Sequence, residues 1–258
     1  MKVRVLGCGG GIGETGARTT SLLVDDDILI DAGTGVADLS VEELARIDHV
    51  FLTHSHLDHI AMLPFLVDSV GCMRNRPLTV YALEKTLKAL KKHIFNWKIW
   101  PDFAEISLQE MPAMQYHQVE TGEKIMLGQR AITALPAAHT VPAIGYLLDS
   151  GKKSLAFTGD TGPNEALWPV LNGVANLRYL LIETTFSSKE KQRAALSKHL
   201  CPETLAGELK RLERKDSIEI HVCHFKPAQA ETLMDEIQAC AGGAARLARL
   251  LTGHFFEF

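Results

Sequence analysis

The chain has 258 residues and a formal net charge of −4, with 46% hydrophobic and 22% charged residues. That is ordinary globular composition, long enough for one large α/β domain or two small ones, and it excludes a disordered or strongly basic chain. The acidic balance argues against stable nucleic-acid binding, which usually needs a basic face, but not against a small anionic substrate held beside metal ions.

Five scattered cysteines (Cys8, Cys72, Cys201, Cys223, Cys240), with no C-x-x-C pair, fit free thiols in a reducing compartment. The apolar run at residues 1–6 is too short for a signal peptide, and no stretch nears the ~18–20 apolar residues of a membrane span. A cytoplasmic protein without a membrane partner is expected. Residues 3–6 alternate like a strand and run into a glycine-rich loop from Gly7 to Gly16. The spacing Gly7-Cys8-Gly9-Gly10-Gly11-Ile12-Gly13 is wrong for a dinucleotide fingerprint, and two strands follow rather than a helix. The loop reads instead as one that lets the backbone pass close to a site. Its two strands, 19–24 and 28–31, meet at Asp25-Asp26-Asp27, a hairpin signal. A short helix at 41–46 precedes a buried strand at 47–52. Residues 60–70 are predicted helical with Pro64 in the first turn, 78–82 form a strand, and 85–93 an amphipathic helix. The aromatic-rich segment 93–103 does not alternate as a core strand does. Strands recur from 106 to 148, including 131–135 and 144–148, and again at 154–158. Helices at 165–171, 203–214 and 228–240 then alternate with strands at 179–182 and 218–222. Neither repeat nor linker interrupts the pattern. Two strand-rich halves with helices outside predict an α/β fold, a four-layer αββα sandwich, in a single domain over 1–258.

The densest chemistry is His54-Ser55-His56-Leu57-Asp58-His59, directly after the buried strand. A strand feeding a short loop sets imidazoles and a carboxylate at the carboxyl end of a sheet, where α/β proteins build their sites. Three later residues also end predicted strands: His139, Asp160 and His224. A lone histidine at a strand end is more often an ordinary polar residue; five histidines and two aspartates at one sheet edge are not a coincidence. The physical assignment gives His54, His56 and His139 to one ion and Asp58, His59 and His224 to another, with Asp160 bridging through its two oxygens. Imidazole and carboxylate together suit zinc, with manganese or iron fitting the same ligands. Two divalent ions ~3.5–4 Å apart lower the pKa of a shared water and stabilise phosphoryl oxygens.

In its motifs the chain resembles the metallo-β-lactamase fold: His-Ser-His-Leu-Asp-His, then a lone His139, Gly159-Asp160-Thr161 and His224. Asp160 is similar to the phosphodiesterase branches more than to β-lactamases, which commonly use Cys there. More narrowly, the chain resembles class II cyclic-nucleotide phosphodiesterases over nearly its whole length. That likeness is carried by Val5 to Ile12, Asp31-Ala32-Gly33-Thr34-Gly35, the metal loop, Lys92-His93-Ile94-Phe95-Asn96 and Ile99-Trp100-Pro101-Asp102-Phe103. Gly159 to Pro163, Ser197-Lys198-His199-Leu200 and His224-Phe225-Lys226-Pro227 complete it. The chain departs from that family at Met62 and Pro64, where Gly or Ser is usual.

The resemblance implies hydrolysis of cyclic AMP or GMP to a nucleoside monophosphate, a small-molecule partner rather than a nucleic acid. Asp58 would both ligate and orient the nucleophile, and His199 would give a proton to the leaving sugar oxygen. Glu183, in Glu183-Thr184-Thr185-Phe186, would orient His199; a comparable pair occurs in tRNA-processing relatives of this fold. His93 and Asn96, with the neighbouring aromatics, would form the nucleotide pocket, unless that segment is local core or a homodimer contact. Lys226 would meet a phosphate oxygen. An RNA-processing phosphodiesterase on the same fold normally needs a basic gripping extension, so it stands second. A thioesterase, a lactamase or a non-enzymatic metal-binding sensor are the remaining readings, because one metal pair supports several chemistries. His49, His117, His221 and His254 read as structural.

Overall fold

A computed structural model describes residues 1–13, 16–108, 110–241 and 247–258 of the chain. Positions 14 and 15 of the glycine-rich loop, and position 109 in the expected strand region, lie outside the described residues. The strands in chain order are β1 (Lys2–Gly7), β2 (Ser21–Val24), β3 (Ile28–Ile30), β4 (His49–Phe51) and β5 (Leu78–Ala82), then the small hairpin β6 (Ser107–Leu108) and β7 (Met111–Pro112). They continue as β8 (Met114–Gln118), β9 (Lys124–Leu127), β10 (Arg130–Pro136), β11 (Ile144–Asp149) and β12 (Ser154–Phe157). The last are β13 (Leu177–Glu183), β14 (Glu219–Cys223), β15 (Leu247–Arg249) and β16 (Phe255–Glu257). The helices are α1 (Val41–Arg46), α2 (Leu57–Ile60), α3 (Leu63–Val70), α4 (Glu84–His93), α5 (Leu167–Asn172), α6 (Lys191–Ser197), α7 (Pro202–Leu209) and α8 (Ala230–Ala241).

Two sheets of seven strands form, in the orders β16-β1-β2-β3-β4-β5-β8 and β15-β14-β13-β12-β11-β10-β9. Three separate apolar cores explain why they stack. Within β2, Leu22 and Val24 join the core between the sheets while Leu23 faces outward; in β3, Ile28 and Ile30 face in and Leu29 out. The second sheet repeats the pattern in β13, where Leu181 faces in and Leu180 and Ile182 face out. Strands apolar on both faces must be covered on both faces. Helices α1, α3 and α4 cover the first outer face through Leu44, Leu63, Leu66, Leu87 and Leu90, and α5, α7 and α8 the second through Leu171, Leu205 and Leu233. The result is the expected four-layer αββα sandwich.

Strands β3, β4, β5 and β8 run parallel, as do β12, β13, β14 and β15, and β10 is antiparallel to β11, itself antiparallel to β12. The carboxyl ends of β3, β4, β10, β12, β13 and β14 therefore open on shared edges. Tyr146 donates from its hydroxyl to the Leu52 carbonyl at 2.9 Å, and Ile144 N–H to the Thr53 carbonyl at 3.0 Å, so the second sheet fixes the strand that feeds the histidine loop.

Two helices differ from the sequence expectation. The 60–70 helix is instead α2 and α3, broken at Ala61–Met62, so Asp58 and His59 lie on a helical turn of their own. The 203–214 helix stops at Leu209 and continues as tight turns, with Arg211 and Leu212 N–H bonding to the Glu208 and Leu209 carbonyls. Leu212 is buried at helical spacing nonetheless, and apolar spacing alone does not separate a helix from the turns that prolong it. No helix among the described residues is long and apolar enough to cross a membrane.

Candidate metal centre

Asp160 is the middle of the site. It leaves β12 through Gly159, whose φ of +61° lets the chain turn the carboxylate under the histidine loop. Its Oδ2 lies 3.4 Å from His59 Nε2, 3.7 Å from His54 Nε2 and 4.0 Å from His139 Nε2; its Oδ1 lies 3.3 Å from His224 Nε2. Asp58 Oδ2 stands 3.3 Å from His224 Nε2 and 3.8 Å from His59 Nε2. His56 Nδ1 faces His139 Nε2 at 3.1 Å. Among the described residues, ligand-capable atoms fall into three groups, each within 4.8 Å: His54, His56, His139 and Asp160; Asp58, His59 and His224; and Asp160, His199 and His224.

The rings are aimed from behind. His59 donates Nδ1–H to Asp31 at 2.7 Å, His54 to Thr53 Oγ1 at 3.0 Å, His139 to the Lys198 carbonyl at 3.0 Å and His224 to Thr185 Oγ1 at 2.9 Å. Each bond fixes the tautomer, so the Nε2 lone pair points inward, as metal-binding histidines are held. Asp31 is fully buried at φ +57° after β3 and also accepts from the Thr53 amide and hydroxyl. His224 stands at φ +66° after β14, and Gly10 lies so close that a Cβ there would sit 2.7 Å from the His224 carbonyl. The glycine loop thus passes close to the site.

Three buried nitrogens, Nε2 of His54, His59 and His224, have no hydrogen-bond partner among protein atoms. Buried polar atoms rarely go unpaired, and three aimed at one carboxylate are the donor set of a cation site. The protonation states agree. Burial pushes His54, His56 and His139 below the ordinary imidazole range, His139 to about 4, which leaves them neutral. Burial alone would raise the Asp58 and Asp160 carboxyls, but the surrounding imidazoles outweigh it and hold both ionised. Burial opposes charge on His59 too, yet Asp160 and Asp31 on either side raise it; positive charge is demanded at that point. For His54, His56 and His139 and for both aspartates, neutral imidazole and ionised carboxylate are the states that ligation requires, while His59 would give up its proton to a bound cation. These residues fit divalent metal ions.

Beside the cluster, His199 donates Nδ1–H to Glu183 Oε1 at 2.6 Å and stacks on His224 with ring centroids 5.3 Å apart. Glu183 is fully buried at the end of β13, where its Oε1 also receives the Thr161 amide and its Oε2 the Thr185 hydroxyl. Burial opposes the charged form of His199, but the Glu183 carboxylate outweighs it and raises the imidazole above its ordinary value.

Two of the three expected substrate residues, His93 and Asn96, stand elsewhere. Helix α4 carries the chain away from the carboxyl end of β5, and Phe103 returns it to the amino end of β8, where its carbonyl receives the Met114 N–H. His93 is exposed at the end of α4. Asn96 bonds the Lys92 carbonyl and the Lys98 and Ile99 amides, closing a turn. Phe95 and Phe103 are buried core, and Trp100 packs on Phe65 at 5.1 Å. The aromatic content of the segment suggests a nucleotide pocket; the structure gives Phe95, Phe103 and Trp100 to the outer core and leaves Trp97 exposed. Lys226 follows His224, but its ammonium donates to the Gly10 carbonyl at 2.6 Å. Asp31, Thr53 and Thr185 aim the rings, and sequence reasoning gave them no role. A Thr two residues after the strand-end Glu183, and an Asp closing β3, the strand paired with the one that feeds the histidine loop, were the available signals.

A carboxylate-centred histidine cluster at the edge of an αββα sandwich defines a metallo-β-lactamase-fold metal site. Residues 26–247 match the family described as Beta-lactamase superfamily domain, and the chain belongs to that family. It is 26% identical over 204 residues to a probable 3′,5′-cyclic-nucleotide phosphodiesterase of Yersinia pestis, covering 70% of this chain and 58% of that protein. It is 29% identical over 184 residues to a 3′,5′-cyclic-nucleotide phosphodiesterase of Aliivibrio fischeri (65% and 54%). It is 25% identical over 158 residues to ribonuclease Z of Methanopyrus kandleri (59% and 51%). The chain thus spans little more than half the length of these relatives. Among solved structures, unliganded yeast PDE1 superposes with a TM-score of 0.81 at 19% identity, covering 100% of this chain and 99% of that one. The metallo-β-lactamase-fold protein YhfI of Bacillus subtilis gives 0.78 at 19%, covering 99% of each. These superpositions speak for the fold.

Proposed function

We propose that the chain is a metal-dependent phosphodiesterase that hydrolyses 3′,5′-cyclic AMP or GMP to the nucleoside 5′-monophosphate. The observation that carries this reading is the buried Glu183–His199 pair, one ring away from the carboxylate-centred cluster. A proton donor beside an electrophilic site is what expulsion of a poorly leaving sugar oxygen needs. His54, His56 and His139 would hold one divalent ion and Asp58, His59 and His224 a second, with Asp160 shared; zinc suits the set best. Bound there, the ions supply Lewis-acid polarisation of the phosphoryl group and a water acidified toward neutral pH.

The remaining work belongs to side chains of the chain itself. Asp58, partly exposed, would ligate a metal ion and orient the attacking water. His199, held by Glu183, delivers a proton through Nε2 to the departing oxygen. Asp31, Thr53 and Thr185 keep the inward lone pairs in register. The cyclic nucleotide is favoured by the names of the Yersinia and Aliivibrio relatives, both phosphodiesterases of that class. A second reading, cleavage of precursor tRNA at its 3′ end, is favoured by the ribonuclease Z similarity and by the Glu183–His199 pair. The net charge of −4 weighs against it.

The test is monophosphate formation from cyclic AMP and cyclic GMP by metal-loaded protein, with a 3′-extended precursor tRNA and bis(p-nitrophenyl) phosphate alongside. Turnover of a cyclic nucleotide supports the first reading, and cleavage of the tRNA alone supports the second. Hydrolysis of the nitrophenyl ester alone would sink both substrates and leave the phosphodiesterase standing.

A further inference from the structure

Left-handed backbone at residues other than glycine recurs around the metal-capable cluster. Asp31 and His224 have it, and so does Lys198, at φ +51° and ψ +53°. The conformation is costly for a residue with a side chain, and such strain gathers where the surrounding structure demands it. Lys198 closes α6. Its N–H bonds the Ala195 carbonyl at 3.4 Å, and the next N–H, that of His199, bonds the Ala194 carbonyl at 2.9 Å. This pair of bonds is the helix stop in which glycine usually takes the left-handed place. Here a lysine takes it.

The consequence is visible on both sides of the residue. A right-handed Lys198 would prolong α6 and aim its carbonyl along the helix axis. Turned left-handed, it sends that carbonyl across to His139 Nδ1 at 3.0 Å, and its ammonium donates back to the His139 carbonyl at 3.1 Å. The following residue enters the site. His199 reaches Glu183 Oε1 at 2.6 Å, with its ring centroid 4.8 Å from that of His139. The loop carrying His139 is tied in turn to the loop carrying Asp160. Gly162 N–H bonds the Ala138 carbonyl at 2.8 Å, and Ala138 N–H bonds Thr161 Oγ1 at 3.0 Å. Lys198 itself is exposed, so its side chain holds no core together.

We propose that Lys198 is a positioning residue whose left-handed backbone aims two groups at once, the metal-capable ring of His139 and the proton donor His199. One strained residue thereby couples metal affinity to proton delivery. The His199 half of this inference rests on the phosphodiesterase reading above; the His139 half does not.

The experiment compares Lys198→Gly with Lys198→Val in the full chain. Both lack the ammonium, so their difference reports the backbone alone. Glycine keeps the left-handed turn without strain, and a β-branched side chain opposes it. In metal-free protein the His139 Nδ1–H proton resonance should stay protected from exchange in Lys198→Gly and broaden in Lys198→Val. Chelator competition should place the zinc affinity of Lys198→Val about 10- to 100-fold below that of Lys198→Gly, the loss expected when the outer partner of a histidine ligand is displaced. The kcat/KM for cyclic AMP relative to bis(p-nitrophenyl) phosphate should fall about tenfold in Lys198→Val, as a misplaced acid predicts, and hold in Lys198→Gly. Lys198→Ala opposes the turn more mildly and should fall between the two, which keeps the comparison decisive if the valine variant does not fold. If neither ester is hydrolysed, the phosphodiesterase reading fails, while the resonance and the zinc affinity still decide the His139 half. Glycine, alanine and valine variants alike in zinc affinity would overturn that half, and an unchanged substrate ratio would overturn the other.

Discussion

His199 Nδ1 lies 2.6 Å from Glu183 Oε1, a charge-assisted bond between a nearly buried imidazole and a fully buried carboxylate. Glu183 is itself fixed by the Thr161 amide and the Thr185 hydroxyl, so the ring has little freedom. A group built this way serves proton delivery to a poor leaving group. Substitution His199→Ala should slow hydrolysis of a cyclic nucleotide by about 10²- to 10⁴-fold. The same change should slow bis(p-nitrophenyl) phosphate much less, since nitrophenolate departs without a proton. Glu183→Gln should follow the same pattern with a smaller loss. Equal losses on both substrates would contradict the assignment of His199 as acid.

Thr185 joins that pair to the metal-capable cluster. Its hydroxyl accepts from His224 Nδ1 at 2.9 Å and donates to Glu183 Oε2 at 3.0 Å. Thr185→Val keeps the volume but leaves the His224 N–H unpaired in a buried place, and Glu183 Oε2 with only the Leu200 amide at 3.4 Å, a cost of about 1–3 kcal/mol. Losing the bond that orients a ligand should also weaken metal affinity by about 10- to 100-fold. Thr185→Ser should restore both. Chelator competition and thermal unfolding read the two effects separately; a valine variant with native metal affinity would refute the coupling.

The layered architecture was legible because alternation with both faces apolar, as in Leu22-Leu23-Val24 and Leu180-Leu181-Ile182, leaves a sheet no choice but to be covered twice. The cluster was legible because its residues lie on the segments that follow β4, β10, β12 and β14, and these strands end at shared edges. Orientation was not. Nothing in the local sequence tells that Asp31 takes a left-handed backbone to reach His59, twenty-eight residues on, or that Lys226 turns to the Gly10 carbonyl. The 93–103 segment misled for a related reason. Aromatic composition reports burial or stacking but not which edge of the sheet the chain has returned to, and that depends on the direction of α4.

Asp160 is the one carboxylate shared between the histidine groups, with Oδ2 toward His54, His59 and His139 and Oδ1 toward His224. If it bridges, Asp160→Ala should bind fewer than two ions per chain while the native protein binds two. Metal analysis after gel filtration measures this, with circular dichroism to show that the sandwich still folds. Asp160→Asn, which keeps the volume, separates the charge from the packing. A variant of either kind that retains two ions would overturn the bridge.

Arg130 ties the two sheets together away from the site. From β10 in the second sheet it reaches the β2–β3 turn of the first, bonding Asp27 through Nη1 at 2.5 Å and Nη2 at 2.7 Å, and Asp25 at 3.0 Å. Partial burial alone would raise the Asp27 carboxyl, but the Arg130 guanidinium outweighs it and holds the group below the ordinary range. A carboxyl whose folded pKa is depressed contributes stability above its unfolded pKa of about 4, and that contribution fades as pH falls through the folded value. Arg130→Gln should therefore destabilise the chain by about 1 kcal/mol at pH 7, the scale of a partly exposed bidentate pair. The difference from the native protein should shrink steadily as the pH is lowered below about 4. Urea unfolding of both proteins across that range measures it. Salt should reduce the difference at pH 7 as well, because the pair is only partly shielded from solvent. A destabilisation that stays constant down to the lowest pH would mean that Arg130 acts through packing of its stem, not through Asp27.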